Sequence, residues 1–140
     1  MSPILLKTTL LVLLVSSGFQ CRRNNDSSSQ NILTGRLVVN DPCGQFAIQV
    51  LDGQIDPDKV VASWTDTDND SVFQNTFRVS GIRNVCSFSA YNISKGDLFQ
   101  FELDPNPSIV SCNTCMIRTL LALPPIANAV KNVKKIVGKP

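Results

Sequence analysis

Apolar and polar residues alternate with a period of two along most of the chain beyond residue 31, the spacing of strands buried on one face. In "LTGRLVVN" (33–40) this puts Leu33, Leu37 and Val39 inward. In "FAIQV" Phe46, Ile48 and Val50 oppose Ala47 and Gln49, and in "DLFQFEL" Phe99, Phe101 and Leu103 oppose Gln100 and Glu102. "VFQNTFRV" sets Phe73, Phe77 and Val79 on one side, and "VVASW", "NVCSFSAY" and "CMIRTLLAL" are further strand candidates. Turn chemistry separates them: "DPCG" at 41–44, "DGQIDPD" at 52–58, "TDTDND" at 65–70, "SKGD" at 94–97 and "DPNPS" at 104–108. The pattern predicts an all-β domain, a small barrel or sandwich of six to seven strands.

The tail reads two ways. In "PPIANAVKNVKKIVG", Ile126, Ala129, Val130, Val133, Ile136 and Val137 fall at helical spacing, Pro125 suits a first helical position and Gly138 a C-cap. The stretch "NVKKIV" equally suits a last strand that closes a barrel. Residues 125–137 are therefore a helix or a final strand.

The N-terminus has a different pattern. From Thr8 to Gln20 no residue is charged, Lys7 precedes this run and Arg22 and Arg23 end it. That is the outline of a signal peptide, shorter than the roughly 20 apolar residues of a membrane span. Signal peptidase could cut before Phe19. Alternatively, the apolar run, Gly18 and Cys21 resemble the bacterial lipoprotein pattern, in which an invariant cysteine ends the signal, although Gln20 stands where Gly, Ala or Ser is usual. Lipidation of Cys21 leaves four cysteines from an odd total of five. "RRNNDSSSQN" then lacks any aliphatic or aromatic side chain and suits a flexible tether. The expected organisation is a signal peptide at 1–20, a lipid-anchored tether at 21–31 and one β domain at 32–140.

The order of "TGRLVV", "FAIQVLDG", "DPDKVVASWTD", a cysteine-phenylalanine segment, "GDLFQFEL" and "CNTC" resembles a group of small uncharacterised bacterial lipoproteins with an oligonucleotide/oligosaccharide-binding-like (OB-like) β-barrel. The resemblance spans roughly residues 33–137 and implies a final strand at the tail. It implies no activity, because this barrel hosts many functions.

Among the cysteines, Cys112 and Cys115 form a single C-x-x-C. A redox enzyme would use such a pair as a reactive dithiol, and with Cys43 and Cys86 the four could ligate zinc. Two disulfides in an oxidising compartment fit better, since neither a βαβ pattern nor a second close cysteine pair accompanies the motif. Three pairings are open. Pairing Cys43 with Cys86, which would contribute roughly 4 kcal/mol, and Cys112 with Cys115 makes Cys86→Ala far more costly than Cys112→Ala.

The alternating carboxylates of "DTDND" (66–70) suggest a calcium loop, but Ser71 and Phe77 stand where Gly and Glu belong, so a solvated hairpin tip is expected. The adjacent "DSV" is similar to a bacterial O-glycosylation acceptor and would place the glycan on Ser71. Trp64 and Tyr91 could form a carbohydrate platform; the company of Val60 and Ala62 instead places Trp64 in the core. The chain contains no histidine, which removes Ser-His and Cys-His catalysis and histidine metal sites. No cofactor fingerprint, catalytic set or metal-ligand set stands out.

Residues 41–104 hold ten acidic and four basic side chains, whereas 105–140 hold five basic and none acidic. The basic tail lacks neighbouring aromatics, so nucleic acid is not an expected partner; it complements the acidic barrel or anionic head groups. These features lead to a non-enzymatic, exported envelope protein, membrane-anchored through lipid at Cys21, that binds or scaffolds an unidentified envelope partner or glycan. The alternatives are a periplasmic thiol oxidoreductase using Cys112 and Cys115, and a weak carbohydrate- or calcium-binding module.

Overall fold

A computed structural model describes residues 31–108, 111–112 and 122–138. Six strands follow in order: β1 (Leu33–Asn40), β2 (Phe46–Asp52), β3 (Val61–Asp66), β4 (Ser71–Ile82), β5 (Leu98–Leu103) and β6 (Ala127–Lys135). The order across the sheet is β2-β1-β5-β6-β4-β3, and an additional β2–β4 pairing closes five of the strands into a barrel. Among the described residues β3 lies outside the ring, paired with β4 alone. All pairings are antiparallel except β4–β6, which is parallel. This is an all-β, OB-like barrel with one added strand.

β4 is long enough for three neighbours. Its first half carries β3, residues 76–78 meet β2, and residues 78–82 run beside β6. Thr76 marks the switch, since Gln49 lies on one edge and Val61 on the other. One residue earlier, Asn75 has φ 51°. Short amide side chains tolerate this left-handed conformation, and the resulting irregularity breaks the alternation. Phe73 and Phe77, expected on one side, therefore enter different apolar clusters.

The tail is a strand, and its helical spacing has a specific cause. Asn132 has φ 52°, and the β5–β6 register shifts between Gln100 and Glu102. An irregularity of this kind adds one residue between inward positions, so Val130 and Val133 both enter the core three residues apart. Two strands use the backbone of β6, which a helix could not offer them.

The barrel interior is filled by Leu33 and Leu37 from β1, Phe46, Ile48 and Val50 from β2, Phe77 from β4, Phe99 and Phe101 from β5, and Val130 and Val133 from β6. Gly35 has no room for a side chain: a Cβ there would lie 2.8 Å from both Ile48 Cγ2 and Phe101 Cε1.

"NVCSFSAY" is not a strand. Val85 makes one isolated bridge to Ile82, and Phe88–Tyr91 form a 3-10 turn. Ser87 starts that turn by accepting a hydrogen bond from Ser89 N at 3.2 Å. The turn drives Phe88 into the barrel end, 5.2 Å from the Phe46 ring and 5.3 Å from Phe99. Of "CMIRTLLAL", only Ala122 and Leu123 are described, and neither is in a strand.

Candidate functional site

The disulfide among the described residues differs from the expected pairing. Cys86 is bonded to Cys112, with Cα atoms 5.5 Å apart. This corrects both assumed pairings, because Cys86 is not available to Cys43 nor Cys112 to Cys115. Cys43 is also disulfide-bonded. Cys21 and Cys115 lie outside the described residues. The cause is geometric: Cys86 follows β4 at the barrel end, where the connection from β5 to β6 returns past it. That contact between distant segments is invisible to local spacing.

The same barrel end holds a half-buried ion pair. Arg83 donates from Nε to Asp104 Oδ2 at 2.7 Å and from Nη2 to Oδ1 at 2.5 Å, and also reaches the Asn106 carbonyl at 3.1 Å. The Asp104 side chain is fully covered while that of Arg83 is partly exposed. The guanidinium hydrogen bonds hold the Asp104 carboxyl below its ordinary pKa, assisted by the Asn106 N–H and opposed by burial. Asp97 is lowered too, first by its 2.6 Å bond from Lys135 and then by the backbone N–H of Ser94. A depressed carboxylate stabilises the fold above its unfolded pKa and loses that contribution as pH falls through its folded pKa. The stability gap between this chain and Asp104→Asn should therefore be full above about pH 4 and close on further acidification. Thermal melts of both proteins across pH 2 to 7 check this; a gap that widens in acid would assign Asp104 the opposite role.

A polar cleft of about 150 Å³ opens beside Trp64 and is lined by Asn40, Asp41, Asp66, Asp68 and Lys95 among others. The indole is buried and stacked on Phe73, with centroids 6.0 Å apart. Its companions are Val38, Val39, Ala47 and Leu123, while Val60 joins the barrel core and Ala62 is exposed. The core placement of Trp64 therefore holds, with different neighbours. Tyr91 packs against the other cluster, so the two rings do not form one carbohydrate platform.

Two of the three carboxylates around this cleft are engaged in turns. Asp41 Oδ1 accepts from Cys43 N at 2.7 Å, and Asp66 Oδ1 from Asp68 N at 3.1 Å. Residues 66–70 form the tip of the β3–β4 hairpin, with Asp70 at φ 57°. Among the described residues no three Asp, Glu, Cys or His side chains gather as a metal site. A more open groove of about 350 Å³ is lined by Gly53, Gln54, Ile55, Pro57, Val60, Ala62 and Asn75. It contains no acid, base or nucleophile.

The basic tail is partly used inside the fold: Lys131 sits 3.7 Å from Glu102 and Lys135 2.6 Å from Asp97. Asn132 also donates to Glu102 at 3.0 Å. Sequence reading foresaw complementarity with the barrel but not these partners, which only the β5–β6 register supplies. No helix among the described residues is long and apolar enough to cross a membrane. Compared with known proteins, the chain matches no family model, no curated protein and no solved structure.

Proposed function

We propose that this chain is an exported bacterial envelope protein, anchored to a membrane by lipid on Cys21, whose barrel serves as a non-enzymatic binding or scaffold module. The position of Cys21 carries the reading: it stands between the uncharged apolar run ending at Gln20 and the polar stretch that follows. A tether of this composition stays extended and solvated, and several acyl chains hold a protein on a bilayer far more firmly than one. The bonded state of Cys43, Cys86 and Cys112 suits an oxidising compartment.

The non-enzymatic part rests on the clefts. Of the two clefts described above, the larger lacks titratable side chains, and the smaller has Asp41 and Asp66 committed to backbone turns, which leaves Asp68 and Lys95 as its other charged groups. A thiol oxidoreductase acting through Cys112 and Cys115 would need that pair as its dithiol, whereas Cys112 is joined to Cys86.

Replacing Cys21 with Ser and separating soluble from membrane fractions tests the anchor. The unaltered chain is expected in the membrane fraction and to incorporate labelled fatty acid, and Cys21→Ser to do neither. A variant that still sediments with membranes would remove the basis of the proposal.

A further inference from the structure

The chain has three aspartates followed directly by a serine or threonine, at 26–27, 66–67 and 70–71, and only the last pair precedes an aliphatic residue, Val72. The fold displays this triplet at the β3–β4 hairpin, on the strand pair that reaches beyond the barrel ring. Thr67 to Asp70 are exposed and Ser71 is half-buried. Val72 is 62% exposed, the most among the large apolar residues of the described strands. Asp70 sits at φ 57°, a left-handed bend that ends the turn, and Asn69 Oδ1 holds the Ser71 backbone by accepting from its N–H at 3.0 Å. The Ser71 hydroxyl and the Asp70 carboxylate make no hydrogen bond or ion pair among the described residues. In the described pairings β4 meets β3 alone from Ser71 to Asn75, and β2 joins only at Thr76, so the other backbone edge of the triplet is open.

We propose that Ser71 is a modification site whose Oγ carries an O-linked glycan, attached by a transferase that recognises Asp70 and Val72 on either side of it. This rests on the reading of the chain as exported, since the donor is a sugar carried on a membrane-embedded lipid diphosphate. Oγ attacks the anomeric carbon of that sugar: the bond from Oγ to C1 forms, and the bond from C1 to the diphosphate oxygen breaks. The lipid diphosphate leaves with the electron pair, and the hydroxyl proton passes to a base of the transferase. Conjugation at Ser71 breaks no internal hydrogen bond and displaces nothing from the core, as a bulky, hydrophilic surface group requires. An extended segment with an open edge lets a second protein pair along its backbone while pockets read alternate side chains. Thr67, on the same tip, lacks these features. Asp66 before it is buried, its carboxylate accepts from Asp68 N at 3.1 Å, and an aspartate follows. The hydroxyls of Ser87 and Ser89 are bonded to each other at 2.9 Å.

The test is peptide mass analysis of the full chain purified from the cells that make it. Trypsin releases Val60–Arg78, which contains Ser71. This peptide should be heavier than its sequence by whole sugar residues, and electron-transfer fragmentation should place them on Ser71. Ser71→Ala should remove the added mass. Asp70→Asn, which keeps a residue tolerant of left-handed backbone, and Val72→Asp retain the hydroxyl. Each should lower occupancy roughly tenfold through the loss of one recognised side chain. Thermal melts of both should match that of Ser71→Ala, which separates recognition from folding. An exported chain, identified by the loss of residues 1–20, whose Val60–Arg78 peptide has its bare sequence mass overturns the proposal and leaves the anchoring reading standing. A bare chain that keeps residues 1–20 overturns both. A glycan on Thr67, or one that persists in both Asp70→Asn and Val72→Asp, also overturns the assignment to Ser71.

Discussion

Opening the Cys86–Cys112 bond with the double substitution Cys86→Ala/Cys112→Ala is expected to cost about 3.5 kcal/mol of folding stability. The bond joins residues 26 apart, and the chain-entropy estimate for such a loop lies between about 3 kcal/mol for 15 residues and 4.7 for 100. A small domain is only about 5 to 15 kcal/mol more stable than its unfolded chain, so this one cross-link is a large fraction of the total. Cys86→Ala and Cys112→Ala should lose equal amounts, because either opens the same ring. This reverses the expectation from sequence, in which Cys112 closed a ring of four residues. Urea unfolding of the three variants in a Cys21→Ser background measures it. Loss at Cys86 without a similar loss at Cys112 would show that the two are not partners in solution.

The bond acts at a particular place. Cys86 lies between the Val85 bridge and the turn that seats Phe88, and Cys112 belongs to the long connection from β5 to β6. Arg83 and Asp104 tie the same two segments three residues from one end and eight from the other. A covalent and an ionic link therefore close one end of the barrel together. The ionic link weakens in acid, the covalent one under reduction, and the two substitutions should report separately.

Strand positions were largely legible in the sequence. β1 spans the residues that "LTGRLVVN" indicated, but its register shifts between Leu37 and Val39 and Val39 joins the Trp64 cluster instead of the barrel core, whereas Phe46, Ile48, Val50, Phe99 and Phe101 all point inward as their period required. Two of the failures share a cause. Asn75 and Asn132 adopt left-handed backbone inside strands, and each resets the inside-outside phase without leaving a signal that asparagine in a turn would not also leave. At Asn132 the shift imitated helical spacing; at Asn75 it sent Phe73 to the Trp64 cluster. In "NVCSFSAY" the apolar residues suggested a strand, but Ser87 offered the backbone a local hydrogen bond and the segment turned. The Trp64 cleft was only partly readable. Trp64, Asp66 and Asp68 are neighbours in sequence, whereas Asp41 and Lys95 reach the cleft through barrel closure. Pairing of the cysteines depends on the same closure, and four cysteines alone left three solutions.

The largest single-residue loss is expected at Phe101. Its ring is fully buried, 5.5 Å from Phe99 and 6.0 Å from Phe77 by centroid, and it rests against the space that Gly35 leaves by having no Cβ. Aromatic pairs add to the burial energy, and neighbours anchored on different strands of a closed ring cannot easily collapse into a void. Phe101→Ala should therefore cost about 3–5 kcal/mol, the sum of lost transfer energy and an unfilled cavity. Leu103→Ala provides the control. Leu103 belongs to the same strand but is only partly buried, and its loss should be nearer 1 kcal/mol, in the ordinary range for a substitution outside the packed interior. Urea unfolding with an unchanged slope gives both values on one scale. If Leu103→Ala proves as costly as Phe101→Ala, the centre of the core lies nearer the end of β5 than the ring contacts place it.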